Sequence, residues 1–200
     1  MKNCYRQLPC GKTTWHNDGG TLTRILSLCA GAVVLLQGSL VVAAWVTINP
    51  PPGQVILHIN YTGTPTVTFN VTAAQVGNGT AVAGTPALEF EMSVQRAGGT
   101  DVTATMTATA PANLSSGSNQ IPISDISWTS AAIAGAPGGT TLIPSGSFVA
   151  GANTIVTVTT AGGGNYNAGG ALTFYFANTT VYPQGAYGPA TVNYTASRTP

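Results

Sequence analysis

The stretch that decides the fold is LEFEMSVQRAGGTDVTATMTATA, residues 88–110. Apolar and polar side chains alternate in LEFEMSVQ, and VTATMTATA repeats the alternation after a short break that contains two glycines. Successive side chains of a β-strand point to opposite faces of a sheet, so each part predicts a half-buried antiparallel strand. The predicted inward faces carry Leu88, Phe90, Met92 and Val94, and then Val102, Ala104, Met106 and Ala108.

The same period of two returns along most of the chain after residue 64. The further alternating runs are TVTFNVT, ISDISWTS, TIVTVTT, ALTFYFAN and ATVNYTAS. Clusters rich in glycine, proline and asparagine separate these runs, which is typical of an all-β sandwich or barrel. We therefore predict an antiparallel β-sandwich of about eight or nine strands, with the domain over residues 64–200.

The first 44 residues predict a secretory signal peptide. Four basic residues precede an uncharged apolar run at residues 25–44. A basic region, an apolar region and a small-residue end make up such a signal, and Val42 and Ala44 suit the cleavage site. The run is also close to the length that spans a bilayer, so an uncleaved anchor is the alternative. The signal peptide predicts a protein that is secreted or displayed on the cell surface.

Few charged residues remain after residue 44, and they do not form a basic patch. Two arginines face four carboxylates, a net charge of about −2, and the six residues are Arg96, Arg198, Glu89, Glu91, Asp101 and Asp125. A nucleic-acid-binding surface needs clustered positive charge, so we predict no nucleic-acid partner. The three cysteines all lie in the predicted signal peptide, at Cys4, Cys10 and Cys29.

Residues suited to catalysis are few. His58 is the one histidine after residue 44, and it lies on the polar face of VILHINY. A hydrolase would need it together with a partner such as Asp125 and a serine, but the sequence contains no nucleophile elbow. Glu89 and Glu91 share one strand face, and we interpret them as a solvated outer face rather than an acid/base pair. We therefore predict that the protein is not an enzyme.

The sequence predicts neither a cofactor nor a metal. The glycine-rich loops lack the strand–loop–helix context and the lysine of a phosphate cradle. Asp101 and Asp125 do not belong to an aspartate-rich loop with the spacing of a calcium site.

Aromatic side chains crowd the C-terminal half, mostly in register with the apolar faces, which predicts core packing. Tyr175 and Tyr182 are the candidates for exposed aromatics that could contact carbohydrate. Six asparagines begin Asn-x-Ser/Thr triplets and are candidates for glycosylation at solvent-facing positions: Asn60, Asn70, Asn78, Asn113, Asn178 and Asn193.

The segment WVTINPPPGQVILHINYTG, residues 45–63, joins the signal peptide to the predicted domain. Its three prolines predict an extended spacer, poor in hydrogen bonds, between two alternating pieces. In the simpler interpretation the second piece is the first strand of the sandwich and the first piece is a frayed arm. In the alternative, part of the segment completes the sheet of the next subunit, and such head-to-tail contacts build filaments.

The end of the chain, LTFYFANTTVYPQGAYGPATVNYTASRTP, resembles the last strands and the Pro-x-Gly-x-Tyr turn of exported bacterial pilus subunits with an immunoglobulin-like fold. These include the subunits of chaperone–usher systems and the spore-coat-U-like group. The resemblance implies an Ig-like sandwich and strand exchange between copies, with a periplasmic chaperone and an outer-membrane assembly protein as partners. The disulfide common in those groups is missing here. The donor-strand residues that the resemblance implies are Val46, Ile48, Val55, Leu57 and Ile59.

These features predict a structural subunit of an extracellular, pilus-like filament that polymerises with copies of itself. The alternative is a secreted carbohydrate-binding or adhesin module that recognises glycans through its loops and exposed aromatics.

Overall fold

A computed structural model describes residues 44–61, 65–162 and 164–199 of the protein. Except for Ala44, the predicted signal peptide lies outside these residues. The described chain contains one 3₁₀ turn, Ile123–Asp125, and thirteen strands. The strands are β1 (Val55–Asn60), β2 (Thr68–Phe69), β3 (Val82–Thr85), β4 (Leu88–Gln95), β5 (Thr103–Ala110), β6 (Asn113–Ser116), β7 (Asn119–Pro122), β8 (Ile126–Ala131), β9 (Thr141–Leu142), β10 (Gly146–Ser147), β11 (Gly151–Thr159), β12 (Asn165–Phe176) and β13 (Asn193–Thr199).

The larger sheet is built around β12, its longest strand. The first part of β12 pairs antiparallel with β4, and its second part pairs antiparallel with β8 on the opposite edge. β1 lies outside β4, and β10 lies outside β8. β3 continues the line of β4 along β12, β2 pairs with β3, and β9 adds a short parallel contact.

The smaller sheet has the order β11–β5–β13, and β6 and β7 form a separate hairpin. β4 and β5, the two parts of the stretch that opens the sequence analysis, therefore lie in different sheets. Their alternate apolar residues are buried in one common core. The prediction of an all-β chain with sandwich-like sheets is thus confirmed.

The core lies between the two sheets. Its completely or nearly completely buried side chains include Phe90 and Met92 from β4, Met106 from β5 and Leu172 from β12. Each such side chain contributes about 2 kcal/mol when it leaves water. Aromatic contacts tie the strands together, with the Phe90 and Tyr194 ring centroids 4.6 Å apart and those of Trp128 and Phe148 4.9 Å apart.

Three segments differ from the predicted strands. TVTFNVT pairs only at Thr68–Phe69, and the β6–β7 hairpin lies in a stretch that we interpreted as a turn cluster. β12 begins at Asn165, inside a glycine-rich segment that we also interpreted as a turn. The strand count is higher than predicted because several strands are pairs of only two residues.

β1 is an integral part of the larger sheet. All six of its residues pair with β4, so the domain boundary predicted between residues 63 and 64 separates β1 from its own sheet. Among the described residues, no helix has the length and apolar character needed to cross a membrane.

Candidate functional site

The N-terminal residues 44–50, which we call the strap, lie across the outer face of the larger sheet. The Trp45 main-chain N–H donates to the Ala134 carbonyl at 3.0 Å, beside a parallel bridge between Ala44 and Ala134. At the other end of the strap, the Asn165 side-chain amide donates to the Asn49 side-chain oxygen at 2.9 Å. The strap is therefore a layer added to the sheet's face, not a strand added to its edge.

A tight turn carries the chain from the strap into β1. The Gln54 N–H donates to the Pro51 carbonyl at 3.0 Å, and Gly53 has a φ of 72°. Proline in the second position and glycine with positive φ in the third are the signature of a type II turn. The prolines thus help to reverse the chain, and our prediction of an extended spacer was wrong. The first alternating piece, in the strap, lies on the face of the larger sheet, and the second piece is β1, a strand of that sheet.

Glu91 is the main polar anchor beneath the strap. It lies in the middle of β4 and is 0% exposed. Its two carboxylate oxygens accept the Val46 main-chain N–H at 3.1 and 3.2 Å. His58, opposite Glu91 on β1, places Nδ1 3.5 Å from Oε2 of the carboxylate. A carboxylate withdrawn from water is stabilised by a hydrogen-bond donor, and here the donor is the Val46 N–H, since His58 Nδ1 makes no hydrogen bond.

The interpretation of Glu89 and Glu91 as a solvated outer face was wrong for Glu91. Glu89 is half-buried and accepts a hydrogen bond from the Asn60 amide at 3.0 Å. Glu91 and Ser93, further along the same face, are both completely buried. The alternation correctly placed these side chains on one face, but it carried no information about the strap that covers Glu91.

Glycine makes room for the strap's aromatic residue. A Cβ at Gly169, which is opposite Glu91 on β12, would lie 2.5 Å from the Trp45 indole. Trp45, Gly169 and the loop around Pro137 also line a half-open cleft of about 280 Å³. Glycine inside a strand often marks the close approach of another group, so the Gly169-Gly170 pair was the available sequence signal for this contact.

The candidate donor-strand residues fall into two groups. Val55, Leu57 and Ile59 lie on β1 opposite Val94, Met92 and Phe90 of the same domain, and they pack partly buried against its core. Val46 and Ile48 lie in the strap, where Val46 is 43% exposed and Ile48 is half-buried. In the single chain, β1 thus pairs with β4 of its own domain. Of the residues 45–61, the strap is the part that belongs to neither sheet.

Tyr175 and Tyr182, the candidates for exposed aromatics, are both half-buried. The Tyr182 hydroxyl donates to the Asp125 carboxylate at 2.7 Å. Desolvation and this hydrogen bond raise the pKa of Tyr182. The Tyr182 ring also lies 6.3 Å from that of Phe176, so it supports the core and is not a free platform for a sugar.

The candidate glycosylation sites differ in exposure. Asn70, Asn78 and Asn193 are exposed, and Asn60 and Asn113 are half-buried. Asn178 is only 2% exposed. Its amide nitrogen donates to the carbonyls of Gln75 and Thr80, and its oxygen accepts the Gly77 N–H. The prediction that Asn178 faces solvent was therefore wrong, because its side chain holds the loop before β3 against the end of β12.

His58 and Asp125, the two residues considered together for a hydrolase, are not brought together. His58 lies beside Glu91, whereas Asp125 binds Tyr182. Asp101 forms an ion pair with Arg96 at 2.9 Å. Across the described ranges, no group of three or more His, Cys, Asp or Glu side chains is arranged to hold a metal ion. The site consists of the Glu91 carboxylate, the space at Gly169 and the Asn165 amide. These groups hold the extended strap through its Val46 N–H, its Trp45 indole and its Asn49 amide.

No protein-family profile, curated protein or solved structure matches this chain.

Proposed function

We propose that this protein is a structural subunit of an extracellular, pilus-like filament. An N-terminal signal peptide exports it, its domain is an Ig-like sandwich, and its extended N-terminal segment inserts into a neighbouring subunit. The observation that carries this proposal is the strap, an extended segment that lies outside both sheets yet fits a formed site on one of them.

The strap is suited to connecting subunits because it is not itself a strand of either sheet and contacts the larger sheet through only a few groups. Its contacts consist of main-chain hydrogen bonds at Trp45 and Val46 and one amide contact at Asn49. The same contacts form equally well with the strap of another copy. A contact in which one subunit's strap enters a different surface of the next is head-to-tail, and repetition without closure gives a filament.

The partners in this proposal are copies of the same chain. A periplasmic chaperone and an outer-membrane assembly protein would protect the strap site during export and present it for assembly. Main-chain recognition supplies affinity in such contacts, and side-chain pockets supply specificity.

Electron microscopy of filaments sheared from the native cell surface, with mass spectrometry of the same fraction, tests this function. We expect filaments in which this chain is the main component and in which its first residue is at or near Trp45. A soluble monomer, with no filament that contains the chain, would contradict the proposal.

The cleft beside Trp45 favours a second candidate, a carbohydrate-binding or adhesin module. An indole on the wall of a half-open cleft of about 280 Å³ offers an apolar surface for a sugar ring. This candidate predicts a monomer whose affinity on a glycan array falls when Trp45 is replaced by alanine. The Tyr182→Ala variant is the matched control, because Tyr182 supports the core on another part of the domain.

A further inference from the structure

We propose that Asn78 is a site of spontaneous deamidation, which converts its side-chain amide to a carboxylate without an enzyme. Asn78 and Gly79 form the one Asn-Gly pair in the 200-residue sequence. They lie in the loop of residues 70–81, which joins β2 to β3. This chemistry would take place in a monomer and in a filament alike, so it goes beyond the proposed function and does not depend on it.

The main-chain nitrogen of Gly79 is the attacking group. Gly79 has a φ of 77°, and a Cβ built on it would meet no atom within 4 Å. Glycine has no side chain to crowd its own nitrogen. Two other exposed asparagines precede larger residues, since Val71 follows Asn70 and Tyr194 follows Asn193. We therefore expect the nitrogen after Asn70 or Asn193 to be less accessible for attack than that of Gly79.

The side-chain carbonyl of Asn78 is the group that is attacked. Its oxygen accepts the Thr80 main-chain N–H at 2.8 Å and the Asn178 side-chain amide at 3.3 Å. The first bond closes an Asx turn, which folds the side chain back along the main chain toward Gly79. Negative charge develops on the oxygen as the new bond forms, and donors already aimed at it stabilise that charge. The loop thus activates the amide.

One hydrogen bond opposes the attack. The Gly79 N–H donates to the Asn178 main-chain carbonyl at 3.2 Å, and this bond must open before the nitrogen can lose its proton. Asn78, Gly79 and Thr80 are all exposed, so opening is a local motion that costs about 1 kcal/mol. The two donors on the Asn78 oxygen offset a cost of that size. The folded loop should therefore leave the reaction rate close to that of an unfolded chain.

The covalent change needs water but no oxidant or reductant. The Gly79 nitrogen gives up its proton and forms a bond to Cγ of Asn78. The bond from Cγ to Nδ2 breaks, and Nδ2 leaves as ammonia with the proton that the main-chain nitrogen released. Water then opens the resulting succinimide ring at one of its carbonyls. Cleavage at the former side-chain carbonyl gives aspartate, and cleavage at the main-chain carbonyl gives isoaspartate.

Isoaspartate would change the loop more than aspartate, because it adds a carbon to the main chain between residues 78 and 79. The Gly79 N–H would then lose its present alignment with the Asn178 carbonyl. Asn178 also accepts the Gly77 N–H and donates to the Thr80 carbonyl, so the whole loop depends on this one buried residue. Conversion should therefore loosen the loop before β3 and add a negative charge to it.

Mass spectrometry of the purified full chain tests this inference. One sample is kept folded in mildly alkaline buffer and a second is unfolded in urea, and both are digested with pepsin in acid, where deamidation is slow. We expect conversion of Asn78 in the folded sample to be about tenfold faster than that of Asn70 or Asn193. The folded and urea rates at Asn78 should agree within about tenfold. The product should contain both aspartate and isoaspartate, which fragment ions distinguish.

Asn78→Gln is the matched control, because it keeps an amide but would have to close a larger, slowly formed ring. We expect no conversion at residue 78 in this variant and unchanged rates at Asn70 and Asn193. Intact Asn78 in the folded sample, with conversion in urea, would overturn the inference, and so would equal rates at the three asparagines. Aspartate without isoaspartate would show direct hydrolysis and overturn the attack by Gly79. If the variant does not fold, the comparison of asparagines within the wild-type chain still decides.

Discussion

The two faces of β4 are covered in different ways. The inner face carries Leu88, Phe90, Met92 and Val94 and packs against the smaller sheet. The outer face carries Glu91 and Ser93, which are just as completely buried, and there a single extended strap lies over Glu91. One face is closed by many apolar contacts that do not depend on direction, and the other by a few directed hydrogen bonds.

This difference separates the source of the domain's stability from the source of the strap's specific placement. Apolar burial in the sandwich core is proportional to the area removed from water and keeps the domain folded. The strap contributes little area, but its contacts require a specific peptide in a specific register.

Phe90→Ala should have the largest effect, because it opens a cavity in the inner face where the ring is 0% exposed and contacts Tyr194. We expect the free energy of unfolding to fall by about 4 kcal/mol. Urea denaturation followed by circular dichroism measures this change. A loss below about 1 kcal/mol would mean that the inner face is not the main source of stability.

Glu91→Ala should have the second largest effect, because the Val46 N–H loses its acceptor and the strap loses its anchor. We expect a loss of about 2 kcal/mol in the same measurement. The matched control is Glu89→Ala, on the same face but only half-buried, with an expected loss of about 0.5 kcal/mol. Equal losses for the two variants would contradict a covered site at Glu91.

Trp45→Ala should be milder than Glu91→Ala, because Trp45 is half-buried and lies outside the core. We expect a loss of about 1 kcal/mol and faster hydrogen exchange of the Val46 amide. Val46→Ala, which truncates an exposed side chain, should stay within about 0.5 kcal/mol of the wild type. Unchanged exchange at Val46 in the Trp45→Ala variant would show that the indole does not hold the strap.

Tyr194→Phe should have the smallest effect near neutral pH and a clear effect in alkali. Burial raises the pKa of Tyr194 above its ordinary value of 10.0, so the folded chain keeps a proton that the unfolded chain releases. The free energy of unfolding of the wild type should therefore decrease as pH rises above 10.0, by linkage. Denaturation curves at about pH 8 and about pH 11 should show a smaller decrease for Tyr194→Phe, and equal decreases would contradict the assignment to Tyr194.

The C-terminal strands were the most predictable part of the molecule. Leu172, Phe174 and Phe176 are buried on one face of β12, and Val192, Tyr194 and Ala196 are partly buried against the same core, as their alternation predicts. LEFEMSVQ coincides with β4. Alternation succeeds here because one face of each strand meets an apolar neighbour and the other face does not.

The candidate site was less predictable, because each of its contacts joins residues that are distant in the sequence. Val46 and Glu91 are separated by 45 positions, and Asn49 and Asn165 by 116. Glu91 lies on the polar face of its strand, as a solvent-exposed residue would. Nothing in the sequence of that strand indicates that the strap lies over it. Asn178 presented the same difficulty, since its partners Gln75 and Thr80 lie about a hundred residues earlier.

The sequence by itself determined the all-β class and which side chains share a face, since both follow from the alternation of neighbours along one strand. It also determined the scarcity of charge and the location of all cysteines before residue 44. Only the tertiary structure decided that β4 and β5 lie in different sheets, that β1 pairs at home and that the strap buries Glu91. These features depend on which distant segments meet, and the free energy of such contacts depends on the whole fold.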